Sequence, residues 1–346
     1  MKASMNKRTK VLLNSEGNKN IGMGAFYDCA AIAKKFKEKL VPEIKFLISH
    51  DSKEDVDSTI LNGYDVEKID MTDTEIFLNS VMEFRPDIIV QNLLNLKESY
   101  MDGLKKLDVT IVNVSHKTDF RDHAKADIVI NLLYDSKNIM CLHGPKYAIL
   151  DDRFGSFHKK KIKDIARSFL ISFGGSDVNN LSVKLMNLLD KLELDFCANI
   201  VVGPGFGEED LLEKNFCRLS NKHKFKINRH IGDMSDLIYG SDLAFISGGR
   251  TMCELAAAGT PGIAFAQNEL EYSRLTEFEK WGSVLNYGYF NEDDKGLFSK
   301  IKSVIPDQSM REAMSRKGQE LIDGKGVDRI IDVIIEYHRK RLIAGA

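Results

Sequence analysis

Two glycine-rich turns, each lying between an apolar run and a helical pattern, constrain the fold of this chain most. Residues 173–177 read Phe-Gly-Gly-Ser-Asp, and residues 247–251 read Ser-Gly-Gly-Arg-Thr. At a strand-to-helix junction of this kind, small residues let the backbone approach a ligand, and the first helical amides have no partner within the helix. Two such junctions on one sheet suit a bound nucleoside diphosphate better than a purely structural purpose.

Length and composition limit the alternatives. The 346 residues suit two domains, and 43% apolar with 29% charged residues is the balance of a soluble globular protein. A formal net charge of -2 argues against nucleic acid as a partner, because duplex-binding proteins carry a marked basic excess. The five scattered cysteines include no Cys-x-x-Cys pair, which predicts reduced thiols and a cytoplasmic location. No stretch is long enough to span a bilayer, so membrane contact is expected to be peripheral at most.

Short apolar runs alternate with helical patterns along the whole chain. This alternation predicts parallel sheets covered by helices on both faces. A break at residues 144–163 divides the pattern, so we expect two Rossmann-like, doubly wound α/β domains, residues 1–150 and 165–346, facing a central cleft at the carboxyl ends of their strands. The predicted strands are Lys10–Asn14, Ile44–Ile48, Asp87–Gln91, Thr110–Val114, Ile128–Asn131, Phe169–Phe173, Ala198–Val202, Phe225–Asn228, Leu243–Ile246 and Gly262–Ala266.

The second junction is the stronger candidate for a nucleotide site. Its backbone amides and hydroxyl groups can surround phosphate oxygens, and Arg250 can add charge. Glu254, one turn into the following helix, can accept hydrogen bonds from ribose hydroxyls; the alternative is an exposed acidic residue that favours the helix dipole. The residues assigned to this part of the site are Ser247, Gly248, Gly249, Arg250, Thr251 and Glu254.

The first junction carries a weaker signal. Gly174, Gly175 and Ser176 are assigned to nucleotide binding. A lone Gly-Gly pair is equally consistent with a tight turn that binds no ligand, in which either Ser176 or Asp177 caps the following helix.

Residues 243–282 resemble the donor-binding segment of the MurG-type N-acetylglucosaminyltransferases. The chain is more similar to the UDP-2,4-diacetamido-2,4,6-trideoxy-β-L-altropyranose hydrolases of pseudaminic acid biosynthesis (PseG-like hydrolases), which share the Gly-Gly-Ser/Thr-Asp-x-x-Asn turn. The similarity covers most of the chain and implies the GT-B fold with a UDP-sugar as substrate. It also implies that the main chain at Ile231 and Met234 faces the uracil and that Asn268 and Glu271 hold the sugar. Either of the last two could equally be an N-cap or first-turn residue.

The glycine-rich loop before the first helix departs from the hydrolase pattern. In the resembling families this loop faces the cleft, so Gly22 and Gly24 are assigned to sugar binding. The hydrolases have a histidine, their proposed base, directly after the second glycine and an arginine three residues later; these positions are Ala25 and Asp28 here. A methyl group cannot accept a proton from water, so hydrolysis cannot run through Ala25. The hydrolases' Asp-His-Tyr segment is replaced by Gln-Asn-Leu at residues 91–93.

Two residues remain as candidates for the catalytic base. His116 follows a predicted strand end, and Asp119 could orient its imidazole; the alternative is a histidine of a surface loop. Asp28, predicted to lie on the first turn of the first helix, is the second candidate. Its alternative role is to favour the helix dipole.

These residues together predict a UDP-sugar-dependent glycosyltransferase of surface-glycan or nonulosonic-acid-related metabolism. The second domain would bind the nucleotide, and the first would hold the acceptor and the catalytic groups. The helix N-terminus at residues 248–251 would stabilise charge on the departing diphosphate, without a metal or cofactor. The acceptor, whether glycan, lipid or protein, stays open. The alternatives are a PseG-like hydrolase with a relocated base and a nucleotide-sugar-binding protein without catalysis.

Overall fold

The computed structural model describes residues 8–17, 22–52, 60–94, 96–115, 125–137, 139–203, 205–219, 223–229, 231–291 and 295–344. These residues form two compact units. Unit 1 lies within residues 1–18, 25–151 and 325–346, and unit 2 lies within residues 19–24 and 152–324. No helix in the described ranges is both long enough and apolar enough to cross a membrane.

Unit 1 is built on a sheet of seven parallel strands in the order β3-β2-β1-β4-β5-β6-β7. Every residue of β4 and β5 is buried, because helices cover both faces of a parallel sheet. On one face Phe77 and Tyr100 stack with ring centroids 4.2 Å apart in the apolar core. The elements are β1 Lys10–Ser15, α1 Gly24–Leu40, β2 Glu43–Ser49, β3 Asp65–Ile69, α2 Thr74–Phe84, β4 Ile88–Asn92, α3 Glu98–Leu104, β5 Thr110–Ser115, β6 Ile128–Asn131 and β7 Cys141–His143.

Unit 2 is built on a sheet of six parallel strands in the order β10-β9-β8-β11-β12-β13. β11 and β12 are buried throughout, and Phe169 and Phe245 on neighbouring strands pack edge to face in its core. The elements are β8 Ser168–Ser172, α4 Leu181–Leu189, β9 Cys197–Val202, α5 Glu209–Phe216, β10 Lys224–Arg229, α6 Ser235–Gly240, β11 Leu243–Ser247, α7 Thr251–Ala258, β12 Gly262–Ala266, α8 Glu269–Trp281, β13 Leu285–Tyr289, α9 Lys295–Val304, α10 Gln308–Leu321 and, beyond this unit, α11 Gly326–Ala344.

Each sheet contains one point at which the order of the strands reverses. This point lies between β1 and β4 in unit 1 and between β8 and β11 in unit 2. Doubly wound sheets bind ligands in the crevice at the carboxyl ends of the two strands that flank such a point. The predicted fold class, two doubly wound α/β domains, is therefore confirmed. The sequence missed three strands, β3, β7 and β13.

The last helix, α11, belongs to unit 1, although the sequence assigned it to a second domain of residues 165–346. Nδ1 of His338 lies 2.9 Å from Oγ1 of Thr110, and the Arg341 guanidinium is paired with Asp127 at 3.3 Å. An amphipathic pattern predicts that one face of a helix is buried but not which sheet covers it. The domain assignment of this helix therefore required the structure.

The docking of α11 makes the stability of the protein depend on pH. Burial lowers the pKa of His338 below its ordinary value of 6.5, against the opposing charge of Asp87. This contribution to stability is fully present above the ordinary pKa and is lost as the pH falls below it, because the folded protein disfavours protonation. We expect the free energy of unfolding, measured with urea, to fall between about pH 7.5 and about pH 5, and to fall less in His338→Gln. An equal decline in both proteins would contradict this expectation.

Candidate functional site

The two glycine-rich junctions of the sequence lie side by side in unit 2. The first follows β8 and the second follows β11, and these strands are the neighbours that flank the reversal of strand order. The sequence predicted both junctions, and the sheet topology brings them to one edge. This edge is where a doubly wound sheet binds its ligand.

The junction after β11 leaves helix amides open. The N-cap position of α7 is Arg250, which makes no capping hydrogen bond with its side chain. Among the described residues, no hydrogen bond uses the amides of Gly249 and Thr251. Ser247 precedes them as a buried residue at the end of the strand. These amides can therefore donate hydrogen bonds to an anion at the positive end of the helix, as the sequence predicts.

Gly248 is required at this junction by close packing. A Cβ atom there would lie 2.7 Å from the carbonyl oxygen of Glu271 and 2.9 Å from its Cβ. The first turn of α8 therefore rests directly on the backbone of Gly248. Burial raises the pKa of the Glu271 carboxyl, and the backbone of Gly248 is among the groups that oppose this rise. Gly249, in contrast, would place a Cβ 3.9 Å from Ser247 Oγ.

Glu254 is buried, with 8% of its surface exposed. Its Oε1 lies 3.2 Å from Nη1 of Arg250, one turn earlier. The alternative role of an exposed acidic residue on the first turn is therefore wrong. A carboxylate is costly to bury, and a single ion pair leaves it with further acceptor capacity directed at this junction.

The junction after β8 differs from the prediction. Gly174 has a φ of +81°, which explains the glycine. The carboxylate of Asp177 accepts hydrogen bonds from the amides of Leu181 and Ser182, both at 2.8 Å. Burial raises the pKa of Asp177 while these bonds oppose the shift. The amides at the start of α4 are thus occupied by the protein's own anion, and the expectation that both junctions leave helix amides free is wrong for this one.

The capping geometry also excludes Ser176 as the N-cap of α4. That position is taken by Asn180, which has a φ of +53°, and Asp177 has a φ of +41°. Gly174, Gly175 and Ser176 can therefore contribute to a ligand site only through the turn itself.

A third glycine-containing loop, which the sequence analysis did not single out, braces the first junction. It follows β9, and the amide of Gly205 donates to the carbonyl oxygen of Gly175 at 2.6 Å. A Cβ on Gly203 would lie 2.5 Å from Cα of Gly175. The sequence signal was present as a Gly-Pro-Gly run directly after the predicted strand Ala198–Val202.

Asn268 and Glu271 hold the start of α8. The Asn268 side chain accepts a hydrogen bond from the Glu271 amide at 3.0 Å, and the Glu271 carboxylate accepts one from the Gln267 amide at 2.9 Å. Burial raises the pKa of Glu271 while the Gln267 amide opposes the shift. This reciprocal arrangement resembles a capping box. Both residues therefore have the structural role that the sequence left as the alternative to sugar binding.

Gln267 connects the ends of two strands and was missed by the sequence analysis. Its Nε2 donates to the carbonyl oxygen of Phe173 at 2.8 Å, so it joins the end of β12 to the end of β8 across β11. Asn179 donates to the carbonyl oxygen of Gln267 at 3.0 Å. The loop after β12 is thus tied to the first junction by one side chain from each.

The predicted uracil-facing residues follow β10, an edge strand two positions from β8. Met234 directly precedes α6, and Asp233 caps this helix by accepting a hydrogen bond from the Ser235 amide at 2.9 Å. Ile231 and Met234 are both half-buried. Contact of their main chain with a base stays a prediction.

The unit 1 candidates are only partly described. His116 and Asp119 lie outside the described residues. Asp28 is buried and accepts a hydrogen bond from Nδ2 of Asn92 at 3.3 Å. Because α1 begins at Gly24, Asp28 lies on the second helical turn, and its placement on the first turn was wrong. Gly22 and Gly24, which the sequence placed in the first domain, lie in unit 2, and Gly22 has a φ of +80°.

Comparison with known sequences identifies two relatives. No protein-family model matches the chain. The chain is 29% identical over 323 residues to an uncharacterized protein of Methanocaldococcus jannaschii, in a match that covers 85% of this chain and 66% of that protein, so it spans just under two thirds of this relative's length. It is 22% identical over 341 residues to the spore coat polysaccharide biosynthesis protein SpsG of Bacillus subtilis, covering 95% of this chain and 98% of SpsG.

Solved structures share the architecture at low sequence identity. MurG of Acinetobacter baumannii has a TM-score of 0.70 at 12% identity, covering 95% of this chain and 99% of MurG. The UDP-GlcNAc 2-epimerase of Neisseria meningitidis bound to UDP-GlcNAc has a TM-score of 0.62 at 11% identity, covering 95% of this chain and 100% of the epimerase. With its seven-stranded and six-stranded parallel sheets, the protein has the GT-B fold.

Proposed function

We propose that this protein is a nucleotide-sugar-dependent glycosyltransferase of glycan biosynthesis. The observation that carries the proposal is the junction after β11, where open amides of α7 and the buried carboxylate of Glu254 lie at the reversal point of the unit 2 sheet. The amides suit a diphosphate, and the carboxylate suits the hydroxyls of a ribose.

The relatives support the same class of reaction. SpsG is named for spore coat polysaccharide biosynthesis, and the structural neighbours include MurG, a glycosyltransferase of Rickettsia africae and an epimerase that binds UDP-GlcNAc. UDP is the nucleotide that we propose, with a role in surface-glycan or nonulosonic-acid-related metabolism.

Bond cleavage in such an enzyme leaves negative charge on the departing diphosphate. The helix end at Gly249–Thr251 supplies preorganised N–H groups for this charge, and Arg250 adds a cation. Asp28, which accepts a hydrogen bond from Asn92, is the described candidate for the base that deprotonates the acceptor; His116 is the other candidate.

A screen of nucleotide sugars tests the proposal. UDP-, CMP-, GDP- and dTDP-sugars would be compared by thermal shift with the full chain, followed by calorimetry of the hits. A ligand at one hundred times its dissociation constant adds about 2.7 kcal/mol of stability. We expect the largest shift with a UDP-sugar, and no shift with any nucleotide would overturn the proposal.

Hydrolysis of the nucleotide sugar is the second candidate reaction. It is favoured by the turn at residues 174–180, where Asp177 and Asn180 hold the left-handed conformations of a specific local structure shared in sequence with the PseG-like hydrolases. Because Ala25 occupies the position of the hydrolases' base, we expect the wild type to hydrolyse UDP-2,4-diacetamido-2,4,6-trideoxy-β-L-altropyranose poorly or not at all.

Ala25→His alone should not restore hydrolysis, because positioned acid–base groups contribute about 10²–10⁴-fold only when their partners are also present. Release of sugar from the donor, followed by NMR without an acceptor, measures this. If the wild type hydrolyses the donor efficiently and Asp28→Asn or His116→Ala does not, the assignment of catalytic residues is correct and the proposed transferase reaction is wrong. Binding of the donor without turnover would indicate a binding protein.

A further inference from the structure

Three amide side chains form a row on one face of the unit 1 sheet. Asn14, Gln91 and Asn113 are direct neighbours across β1, β4 and β5. Two residues earlier on the same strands, and therefore on the same face, the neighbours are Leu12, Ile89 and Ile111, which belong to the apolar core. The face changes from aliphatic to amide at the carboxyl ends of the strands.

The side-chain amide groups of this row do not satisfy all of one another's hydrogen-bond donors and acceptors. Nε2 of Gln91 donates to Oδ1 of Asn113 at 2.9 Å. Oε1 of Gln91 and both polar side-chain atoms of Asn14 are buried, and none of these three atoms has a hydrogen-bond partner within the described ranges. Asn14 is 0% exposed and Gln91 is 1% exposed, so bulk water does not compensate them. Buried polar groups without partners cost stability, and their retention requires an explanation.

The position of the row in the sheet explains why these polar side chains are retained. Asn14 and Gln91 lie on β1 and β4, the two strands that flank the reversal of strand order in unit 1. The next residues along these strands, Ser15 and Asn92, are also paired neighbours with uncharged side chains. In the described part of the chain, no hydrogen bond connects a lysine or arginine to Asn14 or Gln91. The four strand-end side chains at the ligand crevice of this sheet are therefore neutral donors and acceptors, with the Asp28 carboxylate hydrogen-bonded to one of them, Asn92.

We propose that Asn14 and Gln91 form a binding subsite for an uncharged sugar bearing hydroxyl or acylamino groups, which would be the acceptor. Such groups both donate and accept, so one of them can satisfy the free carbonyl of Gln91 and the amide of Asn14 together. A phosphate or carboxylate cannot, because it offers no donor to the Gln91 oxygen. The inference rests on the proposed transferase function, to which it adds the chemical class of the second substrate.

The double variant Asn14→Leu/Gln91→Met tests the subsite, because it replaces both amides with apolar side chains of similar shape. Asn131→Leu is the matched control: Asn131 is equally buried, but its Oδ1 accepts hydrogen bonds from the amides of Leu133 and Tyr134, both at 3.0 Å. We expect the melting temperature to fall less in the double variant than in the control. The double variant loses the hydrogen bond from Gln91 to Asn113 but also removes three buried polar atoms without partners, whereas the control breaks two hydrogen bonds from backbone amides.

Binding of free saccharides is then measured by saturation-transfer NMR on the full-length protein. N-acetylglucosamine and glucose are the neutral probes, and glucuronate is the anionic probe. We expect neutral probes to bind the wild type, to bind the double variant about tenfold more weakly or worse, and to bind better than glucuronate, as for a lost polar contact worth one decade of affinity. UDP affinity, which reports on unit 2, should stay within about twofold.

Three results would overturn the subsite: no saccharide binding by the wild type, equal binding by the double variant, or preferred binding of glucuronate. If binding is equal and the melting temperature of the double variant falls as far as that of the control, the row has a purely structural role. Failure of the wild type to bind UDP is a separate result. It would contradict the proposed function but not the proposed saccharide subsite.

Discussion

Replacing Glu254 with alanine should weaken UDP binding by about 1.5–3 kcal/mol, the range for hydrogen bonds that involve a charged group. This corresponds to an affinity loss of roughly 10- to 150-fold. The expectation follows from the burial of Glu254 beside the open amides of α7, where its carboxylate has acceptor capacity beyond its ion pair with Arg250. Isothermal calorimetry with UDP measures the change directly.

Two further variants separate a ribose contact from an indirect effect through Arg250. Glu254→Gln keeps an acceptor oxygen and should lose less affinity than Glu254→Ala. Arg250→Gln breaks the same ion pair but leaves the carboxylate. If Arg250→Gln reproduces the whole loss, Glu254 acts by positioning Arg250; if none of the variants changes UDP affinity, the assignment of Glu254 to the nucleotide is wrong.

The second large effect is expected at Gly203. A Cβ atom there would lie 2.5 Å from Cα and 2.7 Å from the carbonyl oxygen of Gly175, and these are backbone atoms that cannot rotate away. Gly203→Ala must therefore displace the turn after β8, at a cost of about 1–3 kcal/mol in the free energy of unfolding. We also expect UDP affinity to fall, because this turn borders the proposed site.

Gly207→Ala is the matched control for this variant. Gly207 belongs to the same loop, but a Cβ there would have no atom of the described residues within 4 Å. Chemical denaturation should show a loss of stability in Gly203→Ala that is absent in Gly207→Ala, and calorimetry should show the same difference for UDP. Equal stability and equal affinity in the two variants would show that the β9 loop does not brace the first junction.

The interior of both sheets was predictable from the sequence, whereas most of the edges were not. The predicted strands correspond to all of the central strands, because a strand buried on both faces must be a continuous apolar run. The three missed strands, β3, β7 and β13, are all at sheet edges. Only one of the five residues of β3 is buried, and β13 reads Leu-Asn-Tyr-Gly-Tyr with none buried. A strand with few buried residues needs few apolar side chains, so its sequence shows little hydrophobic pattern.

The site was predictable where it depends on residue type at a strand end, and unpredictable where it depends on backbone conformation. Gly248 and Glu254 follow from spacing after a strand. Asp177 was one of the two caps predicted for α4, and its carboxylate does cap the helix. The sequence did not predict the left-handed conformations at Asp177 and Asn180, which non-glycine residues rarely adopt. The contact of Gly203 with Gly175 joins residues that are distant in sequence, and a single sequence carries no signal for such pairs.

The return of α11 to unit 1 reverses the usual order in which domains fold during synthesis. Ribosomes release the amino-terminal part of a chain first, so an amino-terminal domain is normally complete first. Here all of residues 152–324 must be made before residues 325–344 can join unit 1. At about 5–20 residues per second this interval lasts roughly 10–35 s. Throughout it, the nascent unit 1 exposes the surface around Thr110 and Asp127 that α11 covers, so ribosomes stalled within unit 2 should yield aggregation-prone chains.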